Sequence, residues 1–134
     1  DENKKNRETS AIDVLTHGTT TLIEGFMTKA LSSTASEQTK ILLRTITEAQ
    51  TANGIASALR GMSLRKDTSN LLAMTTVPIL LISGEQDLII PLQRSKDMQE
   101  LARNSTLVTF KQAGHLSNLE QEEQWNQAVL DFFY

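Results

Sequence analysis

Two residues of this sequence, an aspartate and a histidine, occupy positions from which they could carry out acid–base chemistry together. Asp87 lies four residues after Ser83, which closes a short apolar run, and His115 lies five residues after Phe110, which closes another. An aspartate that accepts a hydrogen bond from an imidazole fixes the tautomer of the ring and stabilises the imidazolium, and the second ring nitrogen can then take a proton from a hydroxyl. Taken singly, such an aspartate is more often a turn residue and such a histidine more often structural. Their matching positions favour the chemical interpretation.

The two runs that precede these residues predict a pair of parallel strands. Residues 79–82 are apolar without interruption, which is typical of a strand buried on both faces of a sheet. Residues 106–110 are rich in β-branched and aromatic side chains and predict a second strand. A helix opened by Pro91 lies between them, so a right-handed crossover would make the strands parallel neighbours. Because functional loops leave the carboxyl ends of parallel strands, Asp87 and His115 are expected within reach of each other.

Neighbouring residues support this arrangement or compete with it. Gly84 allows a sharp turn at the end of the first strand, and Gly114 does so immediately before His115. Glu85 is an alternative acid, but we expect its side chain to point out of the turn. Glu120 is expected to tie down the start of the last helix.

The sequence before residue 76 predicts helices only. Two helices, 6–16 and 19–32, are separated by Gly18, and Thr34 with Glu37 forms a capping box before a third. The apolar face predicted for the third helix consists of Leu42, Ile46 and Ala49, and that of the fourth helix of Ile55, Leu59 and Met62. A final helix over 121–133 has an apolar face of Trp125, Ala128, Val129 and Phe132. Trp125 is expected in the core. Between the fourth helix and the first strand, Arg65 and Asp67 are expected to form an ion pair. Asp67 and Ser69 are expected to be helix caps.

The composition argues against nucleic-acid, membrane and metal partners. The net charge is −3, which is not the basic character of a nucleic-acid-binding domain. No apolar run approaches the roughly 18 residues that a membrane helix needs. The absence of cysteine excludes a disulfide scaffold and a Cys-ligated metal, and a metal site on His17 and His115 lacks carboxylates at a suitable spacing. We therefore expect no cofactor, and the composition fits a cytoplasmic protein.

Several segments resemble the α/β-hydrolase family. Residues 77–87, VPILLISGEQD, followed by Pro91, are similar to the strand and acid loop of that family. Residues 113–116, AGHL, and the helix that follows them resemble its histidine loop and final helix. Residues 58–67 are similar to the end of the cap in esterase-like and enol-lactonase-like members, and residues 1–32 to its start. The resemblance covers nearly the whole chain.

The resemblance implies an α/β fold that forms the C-terminal part of an α/β-hydrolase. A helical cap over 1–76 would precede strand, helix, strand and helix over 77–134, with a parallel strand pair. Asp87 would be the acid of a catalytic triad and His115 its base. The cap positions that could line a substrate pocket, or equally serve plain helix packing, are Leu22, Phe26, Met27 and Leu31.

The sequence departs from the family at the nucleophile. In the family this is a serine on a G-x-S-x-G turn between a strand and a helix, upstream of the acid. The nearest segment here, GMSLR around Ser63, lacks the second glycine and follows a helix. The chain also has no initiator Met. We therefore expect a C-terminal fragment whose serine and oxyanion donors lie in an N-terminal half, and which is inactive alone.

The implied parent is a serine-type hydrolase that acts on a small carboxylic ester or lactone without a cofactor. A C–C bond hydrolase or a haloperoxidase-like enzyme remains an alternative, since the same triad serves those reactions. A non-catalytic helical interaction module derived from the fold is another. The strand at 79–83 would lack one neighbour in such a fragment. An apolar strand edge favours pairing with another chain, so a homodimer or larger assembly is expected.

Overall fold

The structure, a computed structural model, describes residues 2–134, which form eight helices and two strands. The first half contains α1 (Glu2–His17), α2 (Thr20–Ala30), α3 (Glu37–Glu48), α4 (Ala52–Ser63) and α5 (Ser69–Met74). The second half contains β1 (Ile79–Gly84), α6 (Leu92–Leu101), β2 (Ser105–Phe110), α7 (Ser117–Glu120) and α8 (Glu122–Phe133). The α/β order predicted from the sequence is confirmed. Across residues 2–134, no helix combines the length and apolar character needed to cross a membrane.

The chain forms two compact units. The helical unit runs as far as Met27 and resumes over Ile41–Lys66. The strand unit comprises Thr28–Lys40 and Asp67–Tyr134. Both candidate site residues, the aspartate and the histidine, belong to the strand unit.

In the helical unit, α1 packs against α4. Ala11 and Val14 of α1 and Ala56 of α4 are almost fully buried, and such small side chains let two helices approach closely. The guanidinium of Arg60 in α4 donates to the carboxylate of Glu8 in α1 through Nε and Nη2, at distances of 2.8–3.2 Å. These hydrogen bonds lower the pKa of Glu8 and raise the pKa of Arg60.

The predicted helix ends are correct at one position and wrong at another. Gly18 separates α1 from α2, and its φ of +89° lies in the left-handed region that glycine adopts without strain. The predicted capping box is wrong, because α3 is capped by Ser36 rather than Thr34: Oγ of Ser36 accepts a hydrogen bond from the amide of Thr39 at 3.1 Å. Ser36 directly precedes Glu37, the first residue of α3, so its hydroxyl is in reach of the third helical amide.

The buried face of α3 also differs from the prediction. Leu43 is 3% exposed, whereas Leu42 and Ile46 are 48% and 46% exposed. Three successive apolar residues, beginning at Ile41, spread over about 200° of the helix circumference at 3.6 residues per turn. The periodicity of the sequence therefore did not decide which of them faces inward.

Asp67 forms a local cap before α5. Its Oδ1 accepts hydrogen bonds from the hydroxyl and the amide of Ser69, and both lower the pKa of the Asp67 carboxyl. Of the two predicted caps, Asp67 therefore binds the first amide of the helix, whereas Ser69 is the first helical residue and Thr68 occupies the N-cap position. The bonds to Ser69 take the place of the predicted ion pair with Arg65. A short side chain that bonds a backbone amide two residues on needs less ordering than a long arginine.

β1 and β2 form the predicted parallel pair. The register runs from Ile79 opposite Ser105 to Gly84 opposite Phe110, and α6 contacts both strands as the crossover helix. Leu81 and Phe110 are buried. Because the strands are parallel and in register, their carboxyl ends lie side by side, and the two loops of interest leave from the same edge.

The last helix, α8, is less buried than predicted. Trp125 is only partly buried, and Leu130 and Phe133 are 50% and 71% exposed. Among the described residues the sheet has two strands. A sheet of this width covers only part of a helix surface, so a core position for Trp125 is not realised.

Candidate active site

Asp87 is oriented by the loop that follows β1. Its Oδ1 accepts hydrogen bonds from the amides of Ile89 and Ile90, both at 2.8 Å. Aspartate commonly closes turns in this way, by bonding its own backbone two or three residues on. The side chain is 7% exposed. With Oδ1 occupied by the loop, Oδ2 remains for another partner.

His115 lies between β2 and α7, on a short stretch of buried backbone. Ala113 and Gly114 before it are buried, as is Ser117 after it. The imidazole itself is 34% exposed. Buried neighbours restrict where the ring can lie, while its partial exposure leaves room for a reacting group to approach.

The two side chains meet as the strand ends predicted. Nδ1 of His115 lies 2.9 Å from Oδ2 of Asp87. An ionised carboxylate can only accept, so Nδ1 must carry the hydrogen of this bond, and the neutral imidazole then has its lone pair on Nε2. This is the tautomer in which an imidazole can act as a general base through Nε2.

Backbone contacts join the loop that carries Asp87, residues 85–91 and called the acid loop below, to the loop that carries His115, residues 111–116 and called the histidine loop below. The amide of Gln86 donates to the carbonyl of Ala113, and the amide of Glu85 to that of Phe110, each at 2.9 Å. At Gly84 the approach is closer still, because a Cβ there would lie 2.2 Å from the oxygen of Ala113. Glycine at this position is thus required by the contact between the loops as well as by the turn.

The histidine loop also contacts residues 30–33, which are the last residue of α2 and the three residues after it and are called the 30–33 segment below. A Cβ on Gly114 would lie 2.7 Å from the carbonyl carbon of Leu31 and 2.8 Å from the nitrogen of Ser32. The amide of Leu116 donates to the carbonyl of Ala30 at 3.2 Å. The chain on either side of the imidazole therefore rests on this segment.

Two polar side chains link the 30–33 segment to the two loops. Glu120 accepts from the amide of Gly114 at 2.7 Å and from the amide of Ser32 at 2.8 Å. Gln86 accepts through Oε1 from the amide and hydroxyl of Ser33, at 3.0 and 2.9 Å. The prediction that Glu120 ties down the start of the last helix is wrong in this respect, since both its oxygens serve the histidine loop and its support.

Neither of these contacts could be predicted from spacing. The partners of Glu120 and Gln86 in the 30–33 segment are 88 and 53 residues away in sequence. Glutamate and glutamine after strands are ordinary surface residues, and only the six-residue distance from Gly114 to Glu120 hinted at a local role.

The other residues considered from the sequence lie elsewhere. Ser63 ends α4 and its hydroxyl donates to the carbonyl of Leu59, so no strand precedes it as a nucleophile turn requires. His17 is exposed and bonds Asp13 one helical turn away. Glu85 is exposed, as expected. In the part of the chain that is described, no three metal-binding side chains come together.

Comparison with known proteins places the fold in a family. Residues 58–134 match the model of an α/β-hydrolase family described as TAP-like protein. The chain belongs to the α/β-hydrolases. Over 75 residues the chain is 35% identical to YisY of Bacillus subtilis, an α/β-hydrolase superfamily protein, in an alignment that covers 56% of this chain and 26% of YisY. RutD of Pseudomonas savastanoi pv. phaseolicola, provisionally assigned as a carbamate hydrolase, is 33% identical over 66 residues, with 49% and 26% covered.

A solved structure resembles the whole of this chain. A thermophilic esterase from Thermogutta terrifontis superposes with a TM-score of 0.93 and 27% identity, over 98% of this chain and 50% of the esterase chain. The chain therefore spans about half the length of that esterase. The matched regions of YisY and RutD are about a quarter of those proteins.

Proposed function

We propose that this α/β-hydrolase supplies the acid and the base of a serine-type hydrolase whose substrate is a carboxylic ester or lactone. The proposal rests on the 2.9 Å contact between Nδ1 of His115 and Oδ2 of Asp87 at the ends of adjacent parallel strands. In a Ser-His-Asp triad this contact sets the tautomer of the base and stabilises its protonated form. The nucleophilic serine and the oxyanion donors belong, in this proposal, to the half of the fold outside these 134 residues.

In the proposed mechanism, Nε2 of His115 takes the proton of the serine hydroxyl as its oxygen attacks the ester carbonyl. The tetrahedral intermediate collapses to an acyl-serine, and the same proton passes to the leaving alkoxide. A water molecule then attacks the acyl-serine while His115 accepts its proton, and the acid product leaves as the serine is re-protonated. Asp87 stays ionised throughout and stabilises the imidazolium at each step.

The substrate class follows from the chemistry of the pair and from the similarities of the chain. A general base and a nucleophile suffice to cleave an activated carbonyl, so an ester or lactone needs no metal or cofactor here. The esterase from Thermogutta terrifontis resembles the whole chain at 27% identity. The similarity to RutD makes a carbamate the next acyl substrate to examine.

The decisive experiment compares variants of the longest natural protein that contains this sequence, assayed on a small activated ester, a lactone and a carbamate. His115→Ala should lower kcat by roughly 10⁵-fold or more, and Asp87→Asn by about 10⁴-fold. His17→Ala is the matched control, because His17 is an exposed histidine in the helical unit. Wild-type turnover by the His115→Ala variant would refute the role proposed for His115, and no turnover of any of the three substrates by the wild type would favour a non-catalytic module.

The 134-residue chain by itself offers a second prediction. We expect it to show no triad-dependent hydrolysis of a small activated ester, because the parts of a triad act as a unit and the nucleophilic serine of the proposed mechanism lies outside the chain. Steady-state assay of the purified chain checks this. Turnover that His115→Ala abolishes would show that the nucleophile lies within the chain.

A further inference from the structure

Glu120 accepts hydrogen bonds from two backbone amides in a closely packed part of the strand unit. Gly114 and Ser32 are both buried, and the atoms of Leu31 and Ser32 approach Gly114 too closely for even a methyl group to fit between. The distances of 2.7 and 2.8 Å are those of charge-assisted hydrogen bonds. A buried amide left without an acceptor is strongly unfavourable, so both bonds favour a single arrangement of the loop.

From these contacts we propose that Glu120 is the positioning residue of the general base. It fixes the amide of Gly114 against Ser32, and Gly114 is joined to His115 by one peptide bond. The carboxylate thereby sets where the imidazole stands relative to Asp87. This inference rests on the function proposed above, since a general base needs a fixed ring position and a structural histidine does not.

The acid loop is bound to the same 30–33 segment. Ser32 and Ser33 are consecutive, and their amides donate to Glu120 and Gln86 respectively. Gln86 precedes Asp87, just as Gly114 precedes His115. The 30–33 segment thus positions both Asp87 and His115, each through the residue that precedes it. A displacement of the 30–33 segment would move both together, whereas loss of Glu120 would release only the histidine side.

The choice of glutamate follows from the number of acceptors. Two amides converge on Glu120, one on each oxygen, and a carboxylate can accept both. A glutamine of the same shape has one acceptor and one donor, so its amide nitrogen would face one of the two backbone N–H groups. Glu120→Gln therefore removes one bond without removing volume.

The experiment observes the imidazole of His115 by nitrogen-15 NMR in the 134-residue chain. In the wild type the ring nitrogens should report a single tautomer, protonated on Nδ1. In Glu120→Gln that signature should give way to a mixture of tautomers, and whichever of the Gly114 and Ser32 amides loses its acceptor should exchange with solvent about 10- to 100-fold faster. Glu123→Gln is the matched control: it removes one charge from an exposed glutamate in the first turn of α8 and should change nothing.

Asp87→Asn separates this inference from the proposed function. It should shift the tautomer because it replaces the acceptor of Nδ1. If Asp87→Asn shifts the tautomer and Glu120→Gln leaves it and both amides as in the wild type, the positioning role is overturned and the pair stands. If neither variant shifts it, the pairing itself fails.

A second variant is needed in case Glu120→Gln does not fold. Glu120→Asp keeps the charge but is one methylene shorter, so it cannot span both amides. A folded Glu120→Asp with a mixed tautomer supports positioning, and one with the wild-type tautomer overturns it. If both variants unfold while Glu123→Gln stays folded, Glu120 is a stabilising residue only and the proposal is overturned.

Discussion

At the scale of single residues, Asp87 divides its carboxylate between two tasks. Oδ1 holds the turn through the amides of Ile89 and Ile90, and Oδ2 faces His115. The loop therefore orients the same group that the pair uses. A substitution can address the two tasks separately, because asparagine keeps an oxygen for the turn and alanine does not.

This division predicts different stabilities for two variants of Asp87. Asp87→Ala should be less stable than Asp87→Asn by about 1–3 kcal/mol, because alanine leaves two turn amides without their acceptor. Urea denaturation of both chains measures the difference in the free energy of unfolding. Equal stabilities would mean that the bonds of Oδ1 do not hold the loop.

Gly84 is the second residue at which a small change should have a large effect. Gly84→Ala puts a methyl group 2.2 Å from the carbonyl oxygen of Ala113, so the two loops must separate. We expect a loss of about 1–3 kcal/mol in the free energy of unfolding, the usual range for overpacking. Thermal or urea unfolding checks the value.

Gly61→Ala is the control for that experiment. Gly61 lies within α4, and a Cβ there would meet no atom within 4 Å. Alanine in a helix is more favourable than glycine by roughly 0.5–1 kcal/mol, so this variant should be unchanged or more stable. A Gly84→Ala variant as stable as Gly61→Ala would show that the loops are not in close contact.

At the scale of elements, the ion pair between Glu8 and Arg60 links α1 to α4. The hydrogen bond from Arg60 lowers the pKa of Glu8 in the folded chain, so folding favours the ionised carboxyl. Stability from this source is present above the usual pKa of glutamate and is lost as the pH falls through the lowered value. The side chains are about half exposed, so the effect is small and sensitive to salt.

Glu8→Gln tests this pH dependence. The wild type should be slightly more stable than the variant near neutral pH, and the difference should vanish in strong acid, where Glu8 is protonated and resembles glutamine. Urea unfolding at both pH values measures it, and added salt should reduce the difference at neutral pH. A difference that grew in acid would contradict the assignment.

At the scale of the whole molecule, the edge of β1 that faces away from β2 is a site at which another chain can pair. The amides of Ile79 and Glu85 donate toward β2, so the alternate residues Leu80 and Ile82 direct their backbone groups to the other side of β1. Among residues 2–134 that side carries no further strand. An unpaired apolar edge is a template for another chain.

The edge leads to the prediction that the chain is a homodimer or larger assembly at micromolar concentration. Sedimentation velocity measures this directly. Val77→Lys should weaken the association, because Val77 is 65% exposed beside the start of β1 and an added charge there opposes edge pairing without disturbing the core. A stable monomer at every concentration would show the expectation to be wrong.

Several features of this protein followed from the sequence alone. The apolar run of β1, the β-branched run of β2 and the proline before α6 predicted a parallel pair with both loops at one edge. From that, the meeting of Asp87 and His115 followed, because strand direction and register leave few other places for loops at matching ends. These are local signals, in which each residue reports on its own neighbours.

Only the tertiary structure decided which residues support that pair. The structure also decided that Leu43 is the buried residue of α3. The sequence did not show this, because three successive apolar residues point in different directions around the helix. Glu120 and Gln86 bind amides 88 and 53 residues away, and a backbone amide has no side chain by which the sequence could mark it. A hydrogen bond to a distant amide depends on where the chain returns, and that position is set by packing of the whole unit.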